Sequence, residues 1–154
     1  MTGNKFMKMA MTGARSAARH GDVPIGAIIV LDGIVVARGE NRVQIGRDPT
    51  LHAEIVAIRR ATRKLGKKFL DGCEIYVSLE PCAMCATAIS FARINRVIFA
   101  ARDAKGGGIL HNAQIYDKDR HLWRPKVSEM PEFADESSDM LKDFFKELRC
   151  KSES

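Results

Sequence analysis

No apolar run in this 154-residue chain is long enough to cross a membrane. The longest strongly apolar stretch, Ile25 to Leu31, falls far short of the ~20 residues a membrane helix needs. No membrane partner is expected. A secretory pattern is missing too, since no apolar segment near the start leads to a small-residue cleavage site. Cysteines number only four. Cys82 and Cys85 stand three residues apart, while Cys73 and Cys150 are scattered. That is a poor disulfide framework, and it points to a reducing, cytoplasmic compartment. Repeats, low-complexity tracts and interdomain linkers are lacking. Residues 1–154 therefore read as one domain, with a flexible tail at about 150–154. A chain of this length buries roughly 68–70% of its extended surface, enough for a core without disulfides.

Acids are missing from two stretches. Residues 1–21 contain Lys5, Lys8, Arg15 and Arg19 but no Asp or Glu. A transit peptide has that composition. However, Phe6, Met9, Ala10, Ala14 and Ala17 recur at helical spacing and run directly towards a strand, so a first helix is the expectation. Residues 59–68 hold six cations and no acid. They read either as a helix end whose cations complement the C-terminal dipole or as a phosphate-contacting patch. The net charge of +6 is a modest bias towards polyanions.

Helical and strand patterns alternate. A first helix is expected over about 4–20, then strands at Pro24–Leu31 and Ile34–Arg38 joined by Asp32-Gly33, a two-residue hairpin signal. Residues 39–50 read as a loop. A second helix covers about 51–65, stopped by Gly66. A third strand runs Glu74–Leu79. A third helix, opened by Pro81, extends to about Ala92, and a fourth strand follows at Arg96–Ala101. The glycine-rich stretch 103–113 is a loop, and Lys126–Ser128 is a short fifth strand. Asp135–Cys150 reads as a last helix with an apolar stripe of Met140, Leu141, Phe144, Phe145 and Leu148. This alternation implies an α/β layered fold, with the strands after the hairpin parallel.

Two short strings carry chemistry: His52-Ala53-Glu54 and Pro81-Cys82-Ala83-Met84-Cys85. His52, Cys82 and Cys85 are good zinc ligands. A zinc held by three protein ligands keeps a position for water, whose pKa falls towards ~7. Glu54 is the candidate general acid/base. On an ideal helix His52 and Glu54 diverge by ~200°, so they share a site only if the helix points its N-terminus at the metal. A redox Cys-x-x-Cys pair, or a structural zinc with Cys73 or His111 as a fourth ligand, would use the same residues. His20, His111 and His121 read as ordinary surface or core histidines. Trp123 reads as a stacking platform or a buried anchor.

The H-x-E…P-C-x-x-C pattern is the signature of zinc-dependent nucleobase deaminases. Beyond it the chain resembles the tRNA adenosine deaminases (TadA-like) of the cytidine/deoxycytidylate deaminase superfamily. The likeness extends through Phe6-Met7-Lys8-Met9-Ala10, Val23-Pro24-Ile25-Gly26-Ala27, Asn41-Arg42, Asp48-Pro49-Thr50, Ser78-Leu79-Glu80-Pro81-Cys82, Ala101-Arg102-Asp103-Ala104-Lys105 and Asp143-Phe144-Phe145. Residues 106–128 match only loosely. The resemblance implies a three-layer α/β/α cytidine-deaminase-like fold around a central mixed sheet of about five strands. It implies a hydrolase that uses Zn2+ to turn adenosine into inosine at the wobble position of a tRNA anticodon stem-loop. It assigns His52, Cys82 and Cys85 to the metal and Glu54 to catalysis. Asn41 would bond the flipped base or its sugar, Asp103 a ribose, and Phe144 and Phe145 would lie near the anticodon loop. It also implies a homodimer, supported by a third helix carrying Met84, Ala88, Ile89 and Phe91 on more than one face. The metal motif alone does not choose a substrate. A deaminase of free cytosine, guanine or a nucleoside, or a non-catalytic RNA-binding or redox module, would share it.

Overall fold

The architecture, from a computed structural model describing residues 2–152, is a five-stranded sheet with helices on both faces. The chain runs α1 (Thr2–Arg19), β1 (Gly26–Leu31), β2 (Ile34–Glu40), α2 (Val43–Gly46), α3 (Ala53–Leu65), β3 (Cys73–Leu79), α4 (Ala83–Phe91), β4 (Arg96–Ala101), α5 (Ile115–Lys118), β5 (Lys126–Glu129) and α6 (Ala134–Ser152). A short 3-10 turn, Pro131–Phe133, precedes α6. Strand order is β2-β1-β3-β4-β5. The first two pairings, β1 with β2 and β1 with β3, are antiparallel. The last two, β3 with β4 and β4 with β5, are parallel. The sheet is thus mixed, and the strands after the hairpin are parallel to one another, as the alternation implied.

Asp32 and Gly33 both take positive φ, 51° and 76°, the conformation of a tight hairpin turn whose twist matches its strands. Successive strand residues then face opposite layers. Ala27, Ile29, Ile75, Val77, Val97 and Phe99 pack against α3 and α4. Ile28, Val30, Tyr76, Ile98 and Ala100 pack against α1 and Phe133. Both faces of the central strands are therefore apolar, as parallel strands covered on two sides require.

Several boundaries differ from the sequence reading. Strand β2 continues through Gly39 to Glu40, where a loop was expected. A Cβ on Gly39 would lie 2.2 Å from the Ala53 carbonyl oxygen and 2.7 Å from Ala57 N. This glycine is a close-approach point under α3 rather than a chain breaker. On α1, Met7 and Met11 join Phe6, Ala10, Ala14 and Ala17 in the buried face, and Met9 is only partly covered. Pro81 precedes the helix start instead of opening it. The stripe on α6 is not core: within that helix only Ser137 is fully buried, while Phe145 is 41% and Leu148 52% exposed. Cys150 to Ser152 are helical, and residues 153–154 of the expected tail lie outside the described residues. Among the described residues no helix is long and apolar enough to cross a membrane.

Candidate metal and active site

Two helices aim their N-termini at one point. His52 is the N-cap of α3 and Cys82 the N-cap of α4. Both hold extended backbone, with φ/ψ of −67/156 and −70/173, and neither side chain caps its own helix. At these positions Ser, Thr, Asp or Asn would normally accept a bond from the first turn. Here the side chains turn towards each other. The Nδ1 of His52 stands 3.6 Å from the Sγ of Cys82 and 3.6 Å from that of Cys85. All three donor atoms lie within 4.8 Å of one another. Tetrahedral zinc with Zn–N and Zn–S bonds of ~2.0–2.1 and ~2.3 Å sets N and S about 3.6 Å apart. The donor set and its spacing both fit that ion.

The angular problem posed by Glu54 is resolved by the same geometry. His52 sits just outside the helix and Glu54 in its first turn, so both enter the site from one helix end. Glu54 is buried, and its Oε1 finds no hydrogen-bond donor within the protein. Buried polar atoms are nearly always paired. An orphaned carboxylate oxygen beside three metal-type donors fits a site built for an ion and its water.

The electrostatics follow. Cys82 is pulled down to about 4, first by its hydrogen bond from Cys85 and then by His52, against the effect of burial. That direction favours the thiolate, the form that binds metal. Cys85 is pushed up by the Cys82 sulfur and by burial, and His52 is raised by its bond with Cys82. Burial pushes Glu54 up to about 7. Both helix N-termini add positive potential at this point. Neither Cys73 nor His111 joins the cluster. Cys73 opens β3, at the end of the strand away from Cys82. His111 bonds Glu80 through Nδ1 at 2.8 Å.

Two buried carboxylates that sequence reasoning missed shape the walls. Glu80 is buried where β3 ends. Its Oε1 accepts from the Asp103 amide, and its Oε2 from the amides of Ile109, Leu110 and His111. Burial raises its pKa, but the Asp103 amide and His111 outweigh that and hold it below the ordinary value. Loop 103–111 is thereby folded over the start of α4. Gly107 and Gly108 approach so closely that a Cβ would meet Glu80 Oε2 and Ala83 N. Asp22, also buried, accepts from the amides of Gln44 and Ile45 at 2.6 and 3.3 Å, fixing α2 beside Asn41. The available signal for Glu80 was an acid at the end of an apolar strand with a glycine-rich, amide-rich loop elsewhere needing acceptors. A further brace is Tyr116, whose buried hydroxyl donates to the Ala86 carbonyl at 2.7 Å.

The other candidate residues are placed as follows. Asn41 is buried, and its Oδ1 accepts from the Val43 amide at 3.1 Å. Asp103 is half-buried, and its Oδ1 accepts from the Lys105 and Gly106 amides. Phe144 and Phe145 form an edge-to-face pair with centroids 5.5 Å apart on the solvent-facing part of α6. Trp123 donates from Nε1 to the Ile94 carbonyl and is 44% exposed, so it is not buried.

Comparison with known proteins gives four further findings. The model of the MafB19-like deaminase family matches residues 1–149. A tRNA-specific adenosine deaminase of Agrobacterium fabrum is 46% identical over 145 residues, 94% of each chain. A structure solved in a study of A-to-I editing by tRNA:A34 deaminases at the wobble position of transfer RNA superposes with a TM-score of 0.86 at 44% identity. That match covers 90% of this chain and 99% of the other. By contrast, a guanine deaminase of Bacillus subtilis is 46% identical over only 102 residues, 66% of this chain and 65% of its own.

Proposed function

The chain belongs to the MafB19-like deaminase family and, within it, to the tRNA-specific adenosine deaminases, and from that premise we propose that it hydrolyses adenosine to inosine at the wobble position of a tRNA anticodon, using Zn2+. The observation that carries the chemistry is the meeting of His52, Cys82 and Cys85 with one buried carboxylate, whose Oε1 is unpartnered, at the convergence of two helix N-termini. The likeness along nearly the whole chain carries the substrate; the guanine deaminase shares only two thirds of it.

Nδ1 of His52 and the sulfurs of Cys82 and Cys85 would hold the ion. When bound, zinc lowers the pKa of a coordinated water to ~7 and so supplies a nucleophile at neutral pH. Glu54 handles the protons. A carboxyl raised by burial can both accept and return a proton. It takes one from water, delivers it to the ring nitrogen of adenine, and returns the proton needed for the amino group to leave as ammonia. One water enters and one ammonia departs, leaving the oxo group of inosine. The base must leave its stack to reach this depth. Asn41 then bonds the base or its sugar. Asp103, in the loop held by Glu80, meets a ribose, and 2′-hydroxyl contact is how RNA is told from DNA. Phe144 and Phe145 offer aromatic faces to unpaired bases.

The same reading makes residues 1–154 one deaminase domain working in the cytoplasm as a homodimer. Met84, Ala88 and Phe91 recur at helical spacing on α4, and Phe91 is 68% exposed. Ile89, part of the sequence argument for dimerisation, is wholly buried within its own chain and is not available for it.

Metal analysis tests the centre. The purified protein should carry about one zinc per chain and Cys85→Ser should lose most of it, whereas full retention would remove Cys85 from the ligand set. Nucleoside analysis of tRNA carrying wobble adenosine should show inosine accumulating with the loaded protein.

A further inference from the structure

The deaminase reading leaves one large feature unused, the cations of residues 59–68. Arg59, Arg60, Arg63, Lys64, Lys67 and Lys68 are all exposed. Among the described residues none of the six has a carboxylate within 4.0 Å. Asp48 lies near Arg59, but its Oδ1 is occupied by the amide and hydroxyl of Thr50. A cluster placed only to complement a helix dipole needs one or two cations in the last turn. Here Arg59 and Arg60 lie in the middle of α3.

Position along the helix ties the cluster to the site. Arg59 and Arg63 follow His52 by seven and eleven residues. Arg59 and Arg63 are four residues apart, so at ~100° per residue they lie ~40° apart on one exposed face of α3. A shallow depression is lined by Arg42, Leu51, Val56, Arg59, Arg60 and Arg63, and Leu51 is the chain neighbour of His52. A second, lined by Arg59, Thr62, Arg63, Gly66, Lys67 and Lys68, continues it, with Arg59 and Arg63 common to both. Together they form one cationic groove whose helical part, Arg59 to Leu65, is ~9 Å long at ~1.5 Å per residue. Along a duplex a strand presents a phosphate every ~3.4 Å, so this part alone lies beside two or three, and Lys67 and Lys68 extend it.

The chemistry selects the occupant. Guanidinium forks match phosphate oxygens in pairs. A second copy of this chain would bring six like charges against six. We propose that the exposed face of α3 from Arg59 to Lys64, continued past the helix end by Lys67 and Lys68, is a phosphate-binding track for the helical stem that flanks the target nucleotide. The track rests on the tRNA reading and extends it: recognition reaches past the loop being edited and into the duplex beside it.

The test compares two RNAs, a complete anticodon stem-loop and an oligonucleotide of the loop alone, on the zinc-loaded protein and its Arg59→Gln/Arg63→Gln variant. Each neutralised phosphate contributes ~0.7–0.9 to the slope of log K against log salt. The variant should therefore bind the stem-loop about tenfold more weakly at low salt, with a slope shallower by about 1.5. Its kcat, zinc content and KM for the loop oligonucleotide should be unchanged. A Lys67→Gln/Lys68→Gln variant should show a similar loss for the stem-loop only. An unchanged slope, or equal weakening on both RNAs, would overturn the track. These failures differ from failure of the deaminase reading: a wild type that binds the stem-loop with the expected slope but forms no inosine refutes that reading and leaves the track standing.

Discussion

Replacing Gly39 by alanine should damage the metal site without touching any residue in it. The added Cβ would lie 2.2 Å from the Ala53 carbonyl oxygen, 2.7 Å from Ala57 N and 2.9 Å from the Ala57 Cβ. The nearest two are backbone atoms in the first turns of α3, so no flexible side chain can swing aside. Ordinary contact begins near 3.4 Å, so the helix must retreat by about 1.2 Å at that point. Ala53, the nearer of the two, lies between His52 and Glu54. Metal–ligand distances tolerate only ~0.2 Å, so a displacement of this size pulls Nδ1 out of range of the ion that Cys82 and Cys85 share. Overpacking costs ~1–3 kcal/mol where neighbours can give, and here the upper end applies. For a protein of this size that corresponds to a Tm lower by ~6–12 °C. Zinc affinity should fall at least tenfold, the range seen when ligand orientation is disturbed. Calorimetry and competitive chelation measure both. Gly13→Ala is the control: it lies within α1, its Cβ would meet nothing closer than 3.4 Å, and helix propensity favours alanine by up to ~1 kcal/mol. A Gly39→Ala protein with wild-type zinc affinity and a Tm within ~2 °C would refute the claim that this glycine seats α3.

Three further outcomes are expected. Glu54→Gln should stay folded and keep its zinc while losing ~10²–10⁴-fold in kcat; more than a tenth of wild-type rate would show that Glu54 does not carry the protons. Glu80→Gln should retain near one zinc equivalent but raise the KM for RNA. The amide cannot accept from both the Asp103 amide on one side and the Ile109, Leu110 and His111 amides on the other. At least one buried donor is then left unpaired, a loss of ~1–3 kcal/mol, and an unchanged Tm and KM would remove Glu80 as the organiser of loop 103–111. Phe91→Glu should convert particles of about 34 kDa, twice the 17.1 kDa of one chain, into monomers by light scattering, and an unaltered mass would exclude the exposed face of α4 from the dimer.

What the sequence disclosed and what it hid divide along physical lines. His52, Cys82 and Cys85 were legible because ligand type and spacing are local properties, and the structure brings their donor atoms together. Asp32-Gly33 and Gly66 were legible because positive φ has few sequence solutions, and both glycines adopt it. Gly39 was misread because a glycine required by a neighbouring helix looks the same as one that ends a strand. Glu80 and Asp22 were invisible because burial of a carboxylate depends on amides supplied by loops some twenty or more residues away. The apolar stripe of α6 followed the helical period, but periodicity states that a face is apolar, not that something covers it. Met140, Leu141 and Phe144 are half-buried, while Phe145 and Leu148 meet solvent.

The central claim is that this zinc-type centre acts on adenosine within tRNA rather than on a free base, and one side-by-side measurement tests it most directly. The zinc-loaded protein is incubated under identical conditions with tRNA carrying wobble adenosine and with free guanine, cytosine and adenosine, and the products are quantified as nucleosides and bases. The account predicts inosine at the wobble position and negligible xanthine, uracil or free inosine. Rapid formation of xanthine or uracil, with no inosine in the tRNA, would contradict it and assign the site to a small-molecule deaminase.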